Sequence, residues 1–198
     1  MPKIIKDIEE NIFNGAMDLF GEHGYTEVDM KMISKKVGIA VGTLYNYYPN
    51  KQKLFMDVLR KSWEITFEKL ENVLQESIDV DVKLEKFISV LYDEISTRKG
   101  LGGALNKEDV FKGEDLSLIF KMKENIFEKM MKILALIELK KNIILTEAVK
   151  KRIGMSMIIM ISGMIKEYPQ EKDINVEFVK SWITCLLQSV KTCGNKSR

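Results

Sequence analysis

Apolar residues at Ile5, Ile8, Ile12, Ala16, Leu19 and Phe20 recur at helical spacing, and Gly24 offers the left-handed backbone that stops a helix. Asp29 is placed to cap a second, short helix whose inward face is Met30, Ile33 and Val37. Gly38 makes a turn, and a third helix runs from about Ala40 to Tyr48, where Pro49 ends it. Asn50 then caps a long helix starting at Lys51, with Leu54, Val58, Ile65 and Leu70 among its apolar positions. The pattern predicts further helices over about 81–98, 115–138, 146–167 and 175–192. Between them, Lys99–Asp115 holds four glycines (100, 102, 103 and 113) and reads as a loop with a short helical piece. There is no strand-like alternation and no repeat. Pro2, Pro49 and Pro169 are the only prolines, so the strongest helix breaker is missing between residues 50 and 168. The expectation is an all-α chain: a three-helix domain over 1–50 with a helix-turn-helix, and a larger helical domain over 51–198.

Composition changes this picture little. A 45% hydrophobic and 30% charged chain of 198 residues is that of a soluble globular protein. Cys185 and Cys193 are too few for a disulfide framework and wrongly placed for a zinc site with the single His23, which reads as structural. The most apolar stretch, Met155–Ile165, is 11 residues, short of the roughly 20 that cross a bilayer. Nor does Ile4–Glu10 have the uncharged core of a signal peptide. No membrane association and a cytoplasmic location are expected.

Charge changes it more, through its distribution. The net charge is only +2, yet from Met30 to Lys61 seven bases (Lys31, Lys35, Lys36, Lys51, Lys53, Arg60, Lys61) face one acid, Asp57. Residues 1–29 carry two lysines against seven acids. A short basic patch on a nearly neutral protein suits a local polyanion contact. Enzyme chemistry finds no support: with one histidine there is no Ser–His–Asp or Cys–His arrangement, and no metal-ligand spacing. Gly100-x-Gly102-Gly103 lacks the strand before it and the Lys-Ser/Thr after it that a phosphate loop needs, so no cofactor is expected.

The specific signal is a series of motifs: Phe20-Gly-Glu-His-Gly-Tyr25, Ile33-Ser-Lys-Lys-Val-Gly38, Gly42-Thr-Leu-Tyr-Asn-Tyr-Tyr48, Pro49-Asn-Lys51 and Leu54-Phe55. Two short helices with a glycine between them, the second rich in aromatics, make a helix-turn-helix. Over about residues 10–58 the chain resembles the TetR/AcrR family of bacterial transcriptional regulators. It departs from the family pattern at Val28-Asp29, where a Thr pair is usual, at Ser34, where Ala is common, and at Ala40-Val41, where a polar pair is usual. The resemblance implies a homodimer on double-stranded DNA, with the third helix reading an operator. Thr43, Tyr47 and Lys51 resemble the family's phosphate contacts. Gly42 lets the backbone come close to the duplex. Tyr45 and Asn46 are candidates to reach base edges, and Val41, with Ala40, offers the apolar contact that suits a thymine methyl. Leu44 and Tyr48 are expected to pack inward.

Beyond residue 60 the resemblance is architectural. The 146–167 helix is apolar nearly all round, and the last helix carries a clean stripe, so both look like the family's dimer interface. The expected interface residues are Ile158, Ile161, Ile165, Val179, Trp182, Ile183, Leu186, Leu187 and Val190. An effector pocket is expected among Trp63, Phe67, Phe87, Leu91, Phe127, Met130, Met157 and Met160; twelve methionines suit an adaptable apolar cavity. The reading is a dimeric repressor released from a pseudo-palindromic operator by a small hydrophobic ligand; an activator, or a regulator governed by a protein partner, is the alternative.

The third helix contains neither Arg nor Lys, so the commonest guanine contact is unavailable to it. Binding-site selection should therefore return half-sites that are A·T-rich beneath Val41 and Asn46. Conserved G·C pairs at the centre of each half-site would contradict this.

Overall fold

The computed structural model describes residues 8–98 and 114–194, apart from the side chains of 114 and 190–194. Its elements are α1 (Ile8–Glu27), α2 (Met30–Val37), α3 (Val41–Tyr47), α4 (Lys51–Gln75), α5 (Val80–Arg98), α6 (Glu114–Lys141), α7 (Glu147–Glu167) and α8 (Lys172–Gly194). No strand occurs among the described residues, and no described helix is long and apolar enough to cross a membrane. The all-α architecture with an N-terminal helix-turn-helix is as expected. Ile5 and most of the glycine-rich 99–115 segment lie outside the described residues.

The chain divides into two compact units, Met1–Glu64 with Thr97–Met122, and Ile65–Ser96 with Lys123–Arg198. In the first, α1 breaks at Gly24, whose φ of 77° is in the left-handed region, and adds one more turn to Glu27. Phe55 packs edge-on against Phe20 at 5.0 Å and Tyr25 at 4.8 Å, so α4 grips the end of α1. Buried Ile12, Ala16, Phe20, Ile33, Leu44, Leu54 and Val58 complete the core.

In the second unit, Leu70, Phe87, Leu91, Met130, Ile133, Ile137, Met157, Ile161, Val179 and Ile183 are buried. α6 runs three residues past the expected end. Its Lys140 reaches Asp79 and Asp81, placing a cation at the negative helix end, and Asn142, with φ of 49°, turns the chain. α8 starts three residues early, and buried Asn175 donates to the Tyr92 hydroxyl and the Tyr168 carbonyl.

At Gly15, α1 lies close against α2. A Cβ there would lie 2.7 Å from Cγ2 of Val37, a short β-branched side chain that cannot swing away. Gly15→Ala should therefore destabilise the protein by about 1–3 kcal/mol, despite alanine's better helix propensity. Calorimetric melting checks this, and an unchanged or raised Tm would contradict the packing of α1 on α2.

Candidate nucleic-acid interface

The turn between α2 and α3 is fixed at both ends. Asp29 accepts a hydrogen bond from the Met32 amide at 2.8 Å, which caps α2. Gly38 ends α2 in the left-handed conformation (φ 76°, ψ 32°), and the Ile39 amide returns to the Ser34 carbonyl. Ala40 precedes α3 without a side-chain cap.

Along α3 one residue, Leu44, is buried, with no exposure. Tyr45 and Tyr47 are 49% and 41% exposed, Gly42 and Asn46 are exposed, and Val41 and Thr43 are half-buried. Three tyrosines in four residues cannot share one helix face, and the structure separates them. Tyr48 turns back and its hydroxyl donates to Asp57 Oδ2 at 2.8 Å. A Cβ on Gly42 would meet nothing within 4 Å, and its φ is ordinary. The chain's own packing therefore does not require glycine there.

Asp57 is the hub behind α3. It accepts from Tyr48 and from Arg60, whose other nitrogen reaches Glu64, and Lys61 stands 3.5 Å away. Partial burial works against its charge, but the bonds from Arg60 and Tyr48 and the Lys61 ammonium outweigh it and hold the carboxyl below its ordinary value. Burial, then the bond to Asp57, pushes the Tyr48 phenol well above its ordinary 10.0.

The seven bases of the patch are used unequally. Lys36 meets Asp18 at 3.5 Å, and Arg60 and Lys61 meet Asp57. Lys51 turns inward, donating to the carbonyls of Tyr25, Thr26 and Val28. Lys31, Lys35 and Lys53 are exposed and make no ion pair among the described residues. The pairs of Arg60 and Lys61 with Asp57 are local, three and four residues apart on α4, whereas the Lys36–Asp18 pair and the inward turn of Lys51 join segments brought together only by folding.

The residues expected to line an effector pocket are mostly core. Phe87, Leu91, Met130 and Met157 are buried in the second unit, with Phe67, Phe127 and Met160 half-buried. Gly154 brings α7 against Phe127 and Met130, a Cβ there lying 3.5 Å from each. Trp63 belongs to the first unit, where the guanidinium of buried Arg98 lies 4.2 Å over its ring and donates to the Ser62 carbonyl. None of the eight lines the open cleft of about 430 Å³ formed by Lys53, Met56, Asp57, Arg60, Asp115, Ser117, Leu118 and Lys121.

The stripe expected at a dimer interface also divides. Ile161, Val179, Ile183 and Leu187 are buried within the chain itself, and Ile158, Ile165, Trp182 and Leu186 are half-buried. The Val190 side chain lies outside the described residues. Among the described residues of α7 and α8, the large apolar side chains left exposed are Met155, Ile159, Ile174 and Phe178, at 54–66%. They sit at 155 and 159 on α7 and at 174 and 178 on α8, one helical turn apart in each case. For Met155 and Ile159 the sequence signal was the excess of apolar positions on α7.

Residues 12–58 match the model of the bacterial regulatory proteins of the tetR family. The fatty acid metabolism regulator protein of Bacillus subtilis is 28% identical over 78 residues, 39% of this chain and 40% of that protein. The chain spans well under two thirds of the length of the first curated relatives it matches. Among solved structures, FadR from Bacillus subtilis in complex with stearoyl-CoA has a TM-score of 0.67 at 16% identity, covering 87% of this chain and 98% of that one. AibR in complex with isovaleryl coenzyme A and operator DNA has a TM-score of 0.73 at 14% identity, covering 89% and 97%. These two likenesses establish the fold.

The Tyr48–Asp57 bond gives a pH prediction. Tyr48→Phe should cost about 1 kcal/mol near neutral pH, a charge-assisted bond discounted for partial exposure. The raised phenol contributes stability that is complete below pH 10.0 and is lost as pH rises above it. The depressed Asp57 contributes stability that is present above 3.8 and is lost as pH falls through its lowered value. Denaturant titrations of both proteins should thus differ by a constant amount between these limits and converge outside them. A difference that persisted at pH 11 would contradict the bond.

Proposed function

We propose that this chain, whose residues 12–58 match the tetR family of bacterial regulatory proteins, is a sequence-specific DNA-binding transcription regulator, acting in the cytoplasm as a dimeric repressor. The observation that carries this is α3: a helix anchored by one buried leucine that presents Gly42, Asn46, Tyr45 and Tyr47 to solvent, beside exposed Lys31, Lys35 and Lys53. Val41, Tyr45 and Asn46 read base edges from the major groove, and Thr43 and Tyr47 hold phosphates. Gly42 fits the same reading: no described residue comes within 4 Å of where its Cβ would lie, and a missing side chain lets a duplex approach the backbone.

The dimer forms through α7 and α8. The outward residues Met155, Ile159, Ile174 and Phe178, with open Gly163 on the same helix surface as Ile159, supply the apolar face that a second copy covers. Half-buried Ile158, Ile165, Trp182 and Leu186 border it. The effector is a small apolar or amphipathic compound, taken up in the second unit near Gly154, where Phe127, Met130 and Met157 meet. Methionines repack at low cost, which suits a cavity opened by its ligand. The acyl-CoA complexes of FadR and AibR favour an acyl thioester as the class to test first.

Gly42→Ala separates function from fold. It should leave Tm unchanged or slightly higher, since alanine is the better helix former, yet weaken operator binding about tenfold or more by holding the backbone off the duplex. Asn46→Ala should instead relax the preference at one base pair, by about 1–3 kcal/mol. Gel shifts on a selected site check both. Full operator affinity in Gly42→Ala would remove the main support for α3 as the reading helix.

A further inference from the structure

Lys51 opens α4, a position where a phosphate contact was expected, but its ammonium points into the chain. It donates to the Tyr25 carbonyl at 2.8 Å, the Val28 carbonyl at 2.8 Å and the Thr26 carbonyl at 3.3 Å. An ammonium has three protons, and three acceptors take them. The same nitrogen lies 4.5 Å from the centre of the Tyr25 ring. The side chain is half-buried.

The carbonyls it meets belong to the turn that follows the break at Gly24 and to the link into α2. Groups at a helix end have no intrahelical partner and carry the negative end of the helix dipole, so a cation there is favoured twice. Val28 is fully buried, and Asp29, the next residue, caps α2. The position of residues 25–28 therefore decides where α2 begins, and α3 follows from α2 through the Gly38 turn. One turn along α4, Phe55 packs on the Tyr25 ring. α4 thus grips this segment by an apolar contact and a polar one.

We propose that Lys51 is a positioning residue for DNA recognition: it fixes the junction of α1 and α2 to the start of α4 and so sets the angle at which α3 is presented. This rests on α3 being the reading helix. Arginine is a poor substitute, because its planar fork cannot point at three converging carbonyls. Methionine keeps the stem and loses every donor.

The test compares the full-length wild type with Lys51→Met and Lys51→Arg, on an operator found by binding-site selection and on an unrelated duplex, at a temperature where circular dichroism shows all three folded. The proposal expects both variants to lose about tenfold or more in operator affinity but little on unrelated DNA, so the specificity ratio falls. It also expects an unchanged slope of log affinity against log salt. Hydrogen exchange at the Met32 and Ile33 amides, in the first turn of α2, should quicken in Lys51→Met. A phosphate contact gives the opposite set: equal losses on both DNAs, a slope reduced by about 0.9 in Lys51→Met, near wild-type binding in Lys51→Arg, and unchanged exchange. That set overturns the proposal, as would a lower Tm with specificity intact, which marks a purely structural lysine. Should selection return no operator, the regulator reading fails by itself, and exchange and melting of Lys51→Met still judge the tie: no change in either overturns it.

Discussion

A helix that turns almost all of itself outward must be held from elsewhere, and α3 keeps a single buried side chain, Leu44, for its own attachment. Burying one leucine is worth about 2 kcal/mol, too little to hold seven residues in one orientation. The rest of the first unit makes up the difference at the ends of α3. Gly38 admits the left-handed turn before it, and Tyr48 anchors the residue after it to Asp57 on α4. Gly15 lets α1 and α2 approach closely enough to form the platform beneath.

The same economy governs charge. A net charge of +2 gives little overall attraction to any polyanion, so the local cations set the electrostatics of the first unit. Folding divides them. Arg60, Lys61 and Lys36 meet acids, Lys51 meets backbone carbonyls, and Lys31, Lys35 and Lys53 keep their charge for solvent or a partner. Asp57 is thereby a fold residue as much as an electrostatic one, since it orients Tyr48 while neutralising its neighbours on α4.

Local features were legible in the sequence. The Asp29 and Asn50 caps, the glycines at 24 and 38 and the inward turn of Leu44 and Tyr48 follow from backbone rules that act over a few residues. What depends on distant segments was not. The partners of Lys51 lie 23–26 residues away. The stripe Val179, Ile183 and Leu187 has the period of an interface helix, but an internal core helix has that period too, and these residues are buried in their own chain. Periodicity names the buried face of a helix without saying what covers it. The aromatic and methionine residues of the second unit posed the same ambiguity, and in this structure most of them are packed core.

The central claim, that the outward face of α3 lies against base edges, is tested most directly by photocrosslinking. A photoreactive residue placed at Asn46, and separately at exposed Tyr168 on the second unit, would be irradiated on operator DNA and the adducts mapped. The account predicts crosslinks from position 46 to bases at two points about one helical turn apart, and none from position 168. Crosslinks from position 168 with none from position 46 would contradict it.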